Sequence, residues 1–219
     1  MHINFGSTIQ GIVKLGVITF TKLYCQEKNQ GLWQEIQSLA QTYRNLYKTT
    51  SDALEKLKPA RDLYRAIGIE PTRIRPSSEA LFRRAVKNKP FYQINSIVDA
   101  ANYVSMSIFL PIGLYDLNKI QGNIELRAGL PDESYQGIGK DEVRLAGRLA
   151  LADTLGPFGN PSSDSLRTSI NIKSCNVLLV IFAPYNYPDN LLSQHLDFTS
   201  HFILKYHSSG LHVKKFILV

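Results

Sequence analysis

The chain has 219 residues, of which 44% are hydrophobic, 10% aromatic and 20% charged. This composition excludes a disordered or fibrous chain, and the length allows a substantial buried core. We expect one domain over residues 1–219. A formal net charge of +7 favours an anionic partner such as nucleic acid, although many proteins without such a partner have a similar charge.

The cysteines and the N-terminal apolar stretch bear on the compartment. Cys25 and Cys175 are far apart and have no CxxC partner, so neither a disulfide framework nor a zinc site is predicted. The apolar stretch 11–23 is interrupted by Lys14 and Lys22, is too short to span a bilayer and lacks the cleavage signature of a secretory signal. We therefore expect a cytoplasmic protein without a membrane partner, a metal ion or a cofactor.

Strand and helix patterns follow one another in the first quarter of the chain. Residues 11–25 are rich in Val, Ile, Thr and aromatic residues without a helical stripe, which predicts one or two strands. Apolar residues then recur at spacings of three and four over 32–47 and 54–64, as on one face of a helix. Pro59 predicts a kink or a break in the second helix.

The excess positive charge is concentrated between residues 59 and 90, where eight Lys or Arg residues accompany three carboxylates. Ser77 and Ser78 are N-cap candidates for a short helix in this segment. The outward arc of that helix is predicted to carry Arg83, Arg84 and Lys87. Two interpretations stay open: a solvated helix face, or a phosphate-binding surface whose affinity falls steeply as salt rises.

A further helix is predicted over 94–108 from a second apolar stripe. On another face of it, Asn95, Asp99 and Asn102 fall at i, i+4 and i+7. Carboxamides and one carboxylate suit hydrogen-bonding recognition, but the solvated face of an ordinary helix has the same pattern. Both interpretations stay open.

Beyond residue 122 the apolar spacing changes from helical to alternating. Residues 124–127 alternate as a half-buried strand does, and 177–182 form a continuous apolar run that is typical of a central strand. Residues 190–203 predict a helix, and 211–218 predict a final strand. The mixed order of elements predicts an α+β or layered α/β fold.

No strong catalytic signature is present, such as a GxSxG, HExxH or GxxxxGK[ST] motif. The five histidines lack ligand spacing, which favours structural or surface roles. The most distinctive segment is 156–168, where two glycines, two prolines and several hydroxyls precede Arg167. It is typical of a turn-rich loop, and exposed amides in such a loop can hold a phosphate or a developing oxyanion.

Three separated motifs occur in a distinctive order: RPSSEALFRR, INSIVDAANYVSMSIFLPIGLYDLNKIQGNIELR and ADTLGPFGNPSSDSLRT. Together they resemble the B3/B4 tRNA-binding and editing module of the β subunit of phenylalanyl-tRNA synthetases, and most closely its stand-alone versions, over about residues 60–185. The resemblance implies a three-layer α/β arrangement that contains a β-sandwich of unusual topology. It also implies tRNA or aminoacyl-tRNA as the partner, and a module rather than a complete tRNA ligase.

In the synthetase, the module hydrolyses tyrosine that is misattached to the tRNA, in a pocket lined partly by the helix and turn that residues 95–116 resemble. The implied pocket residues are Asn95, Asp99, Gly113, Tyr115 and Asp116, of which Asp99 and Asp116 are expected to act as structural orienters. Asn102 would orient the aminoacyl ester, and the amides of Gly156 and Gly159 would polarise its carbonyl group. The implied phosphate contacts are Arg75, Arg83, Arg84 and Arg167.

Three positions depart from the family's pattern. Ala101 replaces a Thr before Asn102, Gly113 replaces a His, and the apolar strand near 178–180 lacks the Glu that reads the tyrosine hydroxyl. A site that pairs a hydroxyl requires its buried acceptor. Specificity for tyrosine therefore does not follow from the resemblance.

Three hypotheses follow. The first is a tRNA-interacting protein that removes a wrong amino acid in trans, using a positioned water and a stabilised oxyanion rather than a catalytic triad. The second is a non-catalytic RNA- or tRNA-binding module that has lost the editing chemistry. The third is an amino-acid-binding protein that needs no RNA. All depend on one cavity between the helix of Asn102 and the segment from Gly156 to Gly159.

Overall fold

The computed structural model describes residues 2–139, 142–207 and 212–219. Its helices are α1 (Gln30–Leu46), α2 (Leu54–Ala66), α3 (Ser77–Val86), α4 (Ser96–Ile108) and α5 (Asp189–Tyr206). Its strands are β1 (Ile3–Phe5), β2 (Val13–Thr21), β3 (Ile112–Asp116), β4 (Ile124–Ala128), β5 (Ser134–Gln136), β6 (Glu142–Arg144), β7 (Leu149–Asp153), β8 (Gly156–Asn160), β9 (Ser163–Asp164), β10 (Val177–Pro184) and β11 (His212–Leu218).

The helices predicted from apolar spacing are confirmed as α1, α2, α4 and α5. Asn29 caps the start of α1 by accepting a hydrogen bond from the Leu32 amide at 3.0 Å. Pro59 lies inside α2, so a break at this residue is wrong. Burial of Leu57 and Leu63 against the core stabilises α2, since packing contributes more to a helix than one backbone hydrogen bond. Among the described residues, no helix has both the length and the apolar content that crossing a membrane demands.

Helix α3 begins after Pro76 rather than after a serine cap. The N-cap predicted at Ser77 or Ser78 is wrong, because Pro76 holds that position and makes no side-chain capping bond. Ser78 instead donates its hydroxyl hydrogen to the Phe109 carbonyl at 3.2 Å. Because Phe109 follows the last residue of α4, this bond ties the start of α3 to the end of α4.

The strands form two larger sheets and a short hairpin. The four-stranded sheet has the order β11-β2-β10-β3, the five-stranded sheet has the order β1-β4-β7-β8-β9, and β5 pairs with β6. Strand β10 is antiparallel to both neighbours, with Val177 opposite Phe20 of β2 and Asp116 of β3. The central strand predicted over 177–182 is therefore confirmed. The predicted final strand is confirmed from His212 onward, and Leu211 lies outside the described residues.

Alternating side chains along β10 connect three layers. Leu179 and Ile181 belong to the core beneath the helices, whereas Leu178 and Val180 belong to the core shared with the five-stranded sheet. Burying one such side chain stabilises the fold by about 1.5–3 kcal/mol, so a strand apolar on both faces holds both cores together. The order of layers is helices, four-stranded sheet and five-stranded sheet. This arrangement confirms the predicted α+β fold with a β-sandwich.

Candidate functional site

An apolar cavity of about 230 Å³ lies beside Asn102. We name it the Asn102 cavity. It is smaller than the roughly 300–1,000 Å³ of pockets for drug-sized ligands, which leaves room for one side chain or one small ligand. Its polar lining residues are Ser77, Asn102, Ser105, Asp164 and Ser169. Its apolar lining residues are Leu81, Ile94, Val98, Ala101, Ile112, Leu114, Ile138 and Ile170.

Asn95 and Asp99 support the start of α4 and do not line the Asn102 cavity. The Asn95 carboxamide oxygen accepts a hydrogen bond from the Val98 amide at 3.0 Å. The Asp99 carboxylate accepts one from the Ile94 amide at 3.1 Å. Burial raises the pKa of Asp99 to about 6. Of the three polar residues on this predicted face, the structure brings Asn102 alone to the cavity.

Gly113 and Tyr115 face the opposite side of β3, toward the core between the two sheets. Side chains alternate along a strand, so Ile112 and Leu114 line the Asn102 cavity instead. The Tyr115 ring is fully buried, and its centroid lies 4.9 Å from that of Phe158 in an edge-to-face contact. Burial, reinforced by the nearby Asp164 carboxylate, holds the pKa of the Tyr115 phenol well above its ordinary value.

Two glycines make room for the Tyr115 ring. A methyl group added at Gly113 would overlap the phenol oxygen and lie 2.7 Å from Cζ. One added at Gly159 would overlap the same oxygen and lie 2.5 Å from Cζ. The space between these glycines is therefore filled by the protein's own tyrosine.

The segment predicted as a turn-rich loop over 156–168 begins as a strand. Residues 156–160 form β8 and pair with β7, so the loop prediction is wrong there. Its turn residues are still used locally, since Gly156 has a φ of 109° beside the β7–β8 turn, a conformation that favours glycine. The cavity predicted between the helix of Asn102 and residues 156–159 is wrong, because the described residues that line the Asn102 cavity include neither Gly156 nor Gly159. Asp164, later in the same segment, lines it instead.

Asp116 and Arg167 both have internal partners. The Asp116 carboxylate accepts hydrogen bonds from the Asn118 amide at 3.0 Å and from the Ser174 hydroxyl at 2.7 Å. The Arg167 guanidinium forms a two-point ion pair with Asp153 at 2.9 and 3.0 Å. Although burial opposes the change, this pair and two backbone amides lower the pKa of Asp153 below its ordinary value. Arg167 thus braces β7 against the segment after β9.

A second cavity, of about 250 Å³, lies on the outward side of α3. Its charged lining residues, which we name the α3 basic cluster, are Arg75, Arg83, Arg84, Lys87 and Lys89. Among the described residues, no carboxylate lines this cavity. Arg83 is partly neutralised by Glu79 at 3.4 Å, and Glu79 is itself buried and paired with Arg61 at 2.7 Å. The structure thus brings three of the four predicted phosphate contacts together and separates Arg167 from them.

Two histidines have the structural roles predicted for them. The buried His207 ring is 2.8 Å from the Ile203 carbonyl at Nδ1 and 2.9 Å from the Ser96 hydroxyl at Nε2. The His195 ring forms a hydrogen bond at Nε2 with the Tyr187 hydroxyl, at 2.9 Å. The side chain of His212 lies outside the described residues. In the portion of the chain that the structure describes, no group of three His, Cys, Asp or Glu side chains is placed to hold a metal ion.

Sequence reasoning missed four polar residues of the Asn102 cavity: Ser77, Ser105, Asp164 and Ser169. Asp164 and Ser77 are the two with most chemical interest. Asp164 is one of several small polar residues in a segment that is typical of turns, so no local pattern distinguishes it. Ser77 is a plausible helix cap by sequence, but its hydroxyl lies buried at the cavity wall without a hydrogen-bond partner among the described residues. Only the packing of α3 against α4 and of β9 against β3 places both side chains here.

The layered α+β fold thus carries an apolar cavity and a cationic cavity, both of which α3 lines. The model of the B3/4 domain matches residues 59–186, which is more than half of the chain. The chain therefore belongs to the B3/4 domain family.

Individual relatives match shorter stretches. The chain is 39% identical over 61 residues to the phenylalanine–tRNA ligase beta subunit of Fusobacterium nucleatum subsp. nucleatum, covering 27% of this chain and 8% of that protein. It is 27% identical over 114 residues to the same subunit of Idiomarina loihiensis, covering 48% of this chain and 14% of that protein. A solved N-terminal fragment of the phenylalanyl-tRNA synthetase beta-subunit from Pyrococcus horikoshii aligns with a TM-score of 0.48 and 13% identity, over 100% of this chain and 54% of that chain. The matched stretches thus span 8% and 14% of the Fusobacterium nucleatum and Idiomarina loihiensis subunits.

Proposed function

We propose that this protein binds the aminoacylated 3′ end of a tRNA. The observation that carries the proposal is that one short helix, α3, lines two different cavities. Ser77 and Leu81 line the apolar Asn102 cavity, and Arg83 and Arg84 line the cationic one. The named relatives are beta subunits of a tRNA ligase, which supports RNA as the source of the anionic group.

The distance between the cavities suits the end of a single RNA strand. Both cavities border α3, and a helix with its side chains is about 10–12 Å across, so adjacent terminal nucleotides can span from one cavity to the other. Phosphates would bind the α3 basic cluster, whose cavity has no carboxylate among its described lining residues. The amino acid attached to the terminal ribose would then enter the Asn102 cavity.

The lining of the Asn102 cavity suits an aminoacyl group. Its apolar walls accept an uncharged side chain, and the Asn102 carboxamide can both donate to and accept from the ester. The Asp164 carboxylate supplies a negative charge for the α-ammonium group, because opposite charges at close range attract strongly away from bulk water. Asn102 keeps its predicted role in this proposal, and Asp164 is added to it.

The first experiment measures the affinity of the purified protein for aminoacylated and deacylated forms of the same tRNA. We expect tighter binding of the aminoacylated form, and Asn102→Ala should remove that preference without changing affinity for deacylated tRNA. Asn45→Ala is the matched control, because Asn45 is an exposed residue of α1. Equal affinity for both forms, unchanged by Asn102→Ala, would contradict the assignment of the cavity.

The second experiment measures salt dependence. Each single-strand phosphate contact contributes about −0.7 to the slope of log affinity against log salt. The double variant Arg75→Ala/Lys87→Ala should therefore make the slope shallower by about 1.4. Lys28→Ala/Lys173→Ala is the control, because it removes two exposed positive charges outside the cluster. Equal slopes for the two double variants would argue against phosphate binding at α3.

A second candidate function is hydrolysis of misacylated tRNA in trans. It is favoured by Asp164 and Asn102 lining one cavity, because a carboxylate can hold and deprotonate a water beside an ester that a carboxamide orients. A deacylation assay over a panel of mischarged tRNAs tests it, with Asp164→Asn as the inactive control. If the protein binds tRNA but hydrolyses none of the mischarged tRNAs, the enzymatic function is wrong and the binding function stands.

A further inference from the structure

The geometry points to Tyr92 as a stacking platform for the base of an unpaired nucleotide at the RNA 3′ end. This inference rests on the proposed function. Tyr92 is 71% exposed, more than any other large hydrophobic side chain that the structure describes. An aromatic ring left in water beside cations is a recurrent feature of surfaces that bind single-stranded nucleic acid.

One face of the Tyr92 ring is covered and the ring is thereby oriented. The Arg84 guanidinium carbon lies 4.9 Å from the ring centroid, as in a cation–π contact. The Arg84 Nε donates a hydrogen bond to the Pro90 carbonyl at 2.6 Å, which fixes the guanidinium against the same segment. Because most of the Tyr92 surface remains exposed, a base can stack on its other face.

Tyr92 lies in the short segment that joins the two cavities. Lys89 lines the cationic cavity, and Ile94 lines the Asn102 cavity. Residues 90–95 between them are neither helix nor strand, so the segment follows the surface from one cavity to the other. A strand of RNA whose phosphates bind the α3 basic cluster and whose aminoacyl end enters the Asn102 cavity would pass a base over Tyr92.

The expected ligand is single-stranded RNA rather than a duplex. Bases inside a duplex are already stacked on their neighbours and do not present a face to an aromatic side chain. A platform of one tyrosine flanked by arginine contacts any base, since every base has a π-face. Tyr92 is therefore expected to add affinity with little preference for sequence.

The test uses a short RNA ending in 3′ CCA, the terminal sequence of tRNAs, with 2-aminopurine in place of the last adenine. Stacking quenches 2-aminopurine fluorescence, so quenching reports the contact directly. We expect wild type to bind and quench, Tyr92→Phe to behave like wild type, and Tyr92→Leu to bind about 5- to 100-fold more weakly with the quenching lost. Tyr24→Leu is the matched control, because Tyr24 is 66% exposed and lines neither cavity.

The outcomes separate the inference from the function on which it rests. If wild type and Tyr92→Leu bind the RNA equally and quench equally, the stacking role is wrong and RNA binding stands. Equal affinity for a blunt RNA duplex would also overturn the stacking role. If wild type binds no RNA even at low salt, the proposed function fails, and the stacking role fails with it.

Discussion

Gly113→Ala is expected to destabilise the protein by about 2–3 kcal/mol, at the upper part of the range for an extra methyl group in a packed core. The added carbon would lie 2.7 Å from Cζ and 2.9 Å from Cε2 of Tyr115, whereas carbon atoms in contact are ordinarily about 3.5–4.0 Å apart. The ring would have to move by about 1 Å. Gly159 and Phe158 close the space on its other sides, so the cost cannot be avoided by a small shift.

The free energy of unfolding is measured by urea titration, with the fluorescence of the single tryptophan, Trp33, and far-ultraviolet circular dichroism as independent probes. Gly31→Ala is the control for adding a methyl group. Gly31 lies in α1, and a methyl group there would be 3.6 Å from its nearest neighbour, an ordinary contact. Because alanine favours a helix over glycine by about 1 kcal/mol, this variant should be neutral or slightly more stable.

A double-mutant cycle tests whether overlap with the Tyr115 ring causes the loss of stability in Gly113→Ala. Tyr115→Leu should be destabilising by itself, since it leaves a cavity. In that background Gly113→Ala should cost less than about 0.5 kcal/mol, which gives a coupling of about 2 kcal/mol. Wild-type stability for Gly113→Ala, or the same loss with and without the tyrosine, would refute the assignment of this space to the ring.

Two other stability predictions concern buried carboxylates. Burial raises the pKa of Asp99 to about 6 from an ordinary value of 3.8. Asp99 therefore stays protonated to a higher pH in the folded state than in the unfolded state, and the free energy of unfolding falls as pH rises between these two values. Asp99→Asn should therefore stabilise the protein by about 1–3 kcal/mol at pH 7 and by little at pH 4. Urea titrations at both pH values measure the free energy of unfolding, and an equal effect at the two would contradict this prediction. Arg167→Ala should destabilise it by about 2–4 kcal/mol, because the fully buried Asp153 side chain would lose its ion pair. Arg73→Ala is the surface control, because Arg73 is exposed, and a similar melting temperature for both variants would show that the Asp153 pair contributes little.

Some of the candidate site was predictable because it depends on local pattern. Arg83 and Arg84 point outward because the apolar residues of α3 set its buried side, and the charge of residues 59–90 already indicated a basic surface. Asn102 was found in the same way, from its place on a second face of α4. Asn95 and Asp99 share that pattern, but their hydrogen bonds at the start of the helix depend on the path of the preceding chain.

The assignment of Gly113, Tyr115 and Gly159 to a ligand pocket was not confirmed by their geometry. The resemblance placed these residues near one another, and they do meet, but around the tyrosine's own ring. Whether a space between two sheets holds a ligand or a side chain depends on the rotamer and the burial of each residue that borders it. No spacing along the chain carries that information.

The sequence by itself determined the helices, the central strand, the layered α+β class and the basic character of α3, because apolar periodicity and charge act over neighbouring residues. The tertiary structure alone decided that Asp164 joins Asn102, that Arg167 turns inward to Asp153, and that Tyr92 lies between two cavities. These relations join residues far apart in sequence, and close packing in three dimensions sets which side chains meet and which face remains open to a partner.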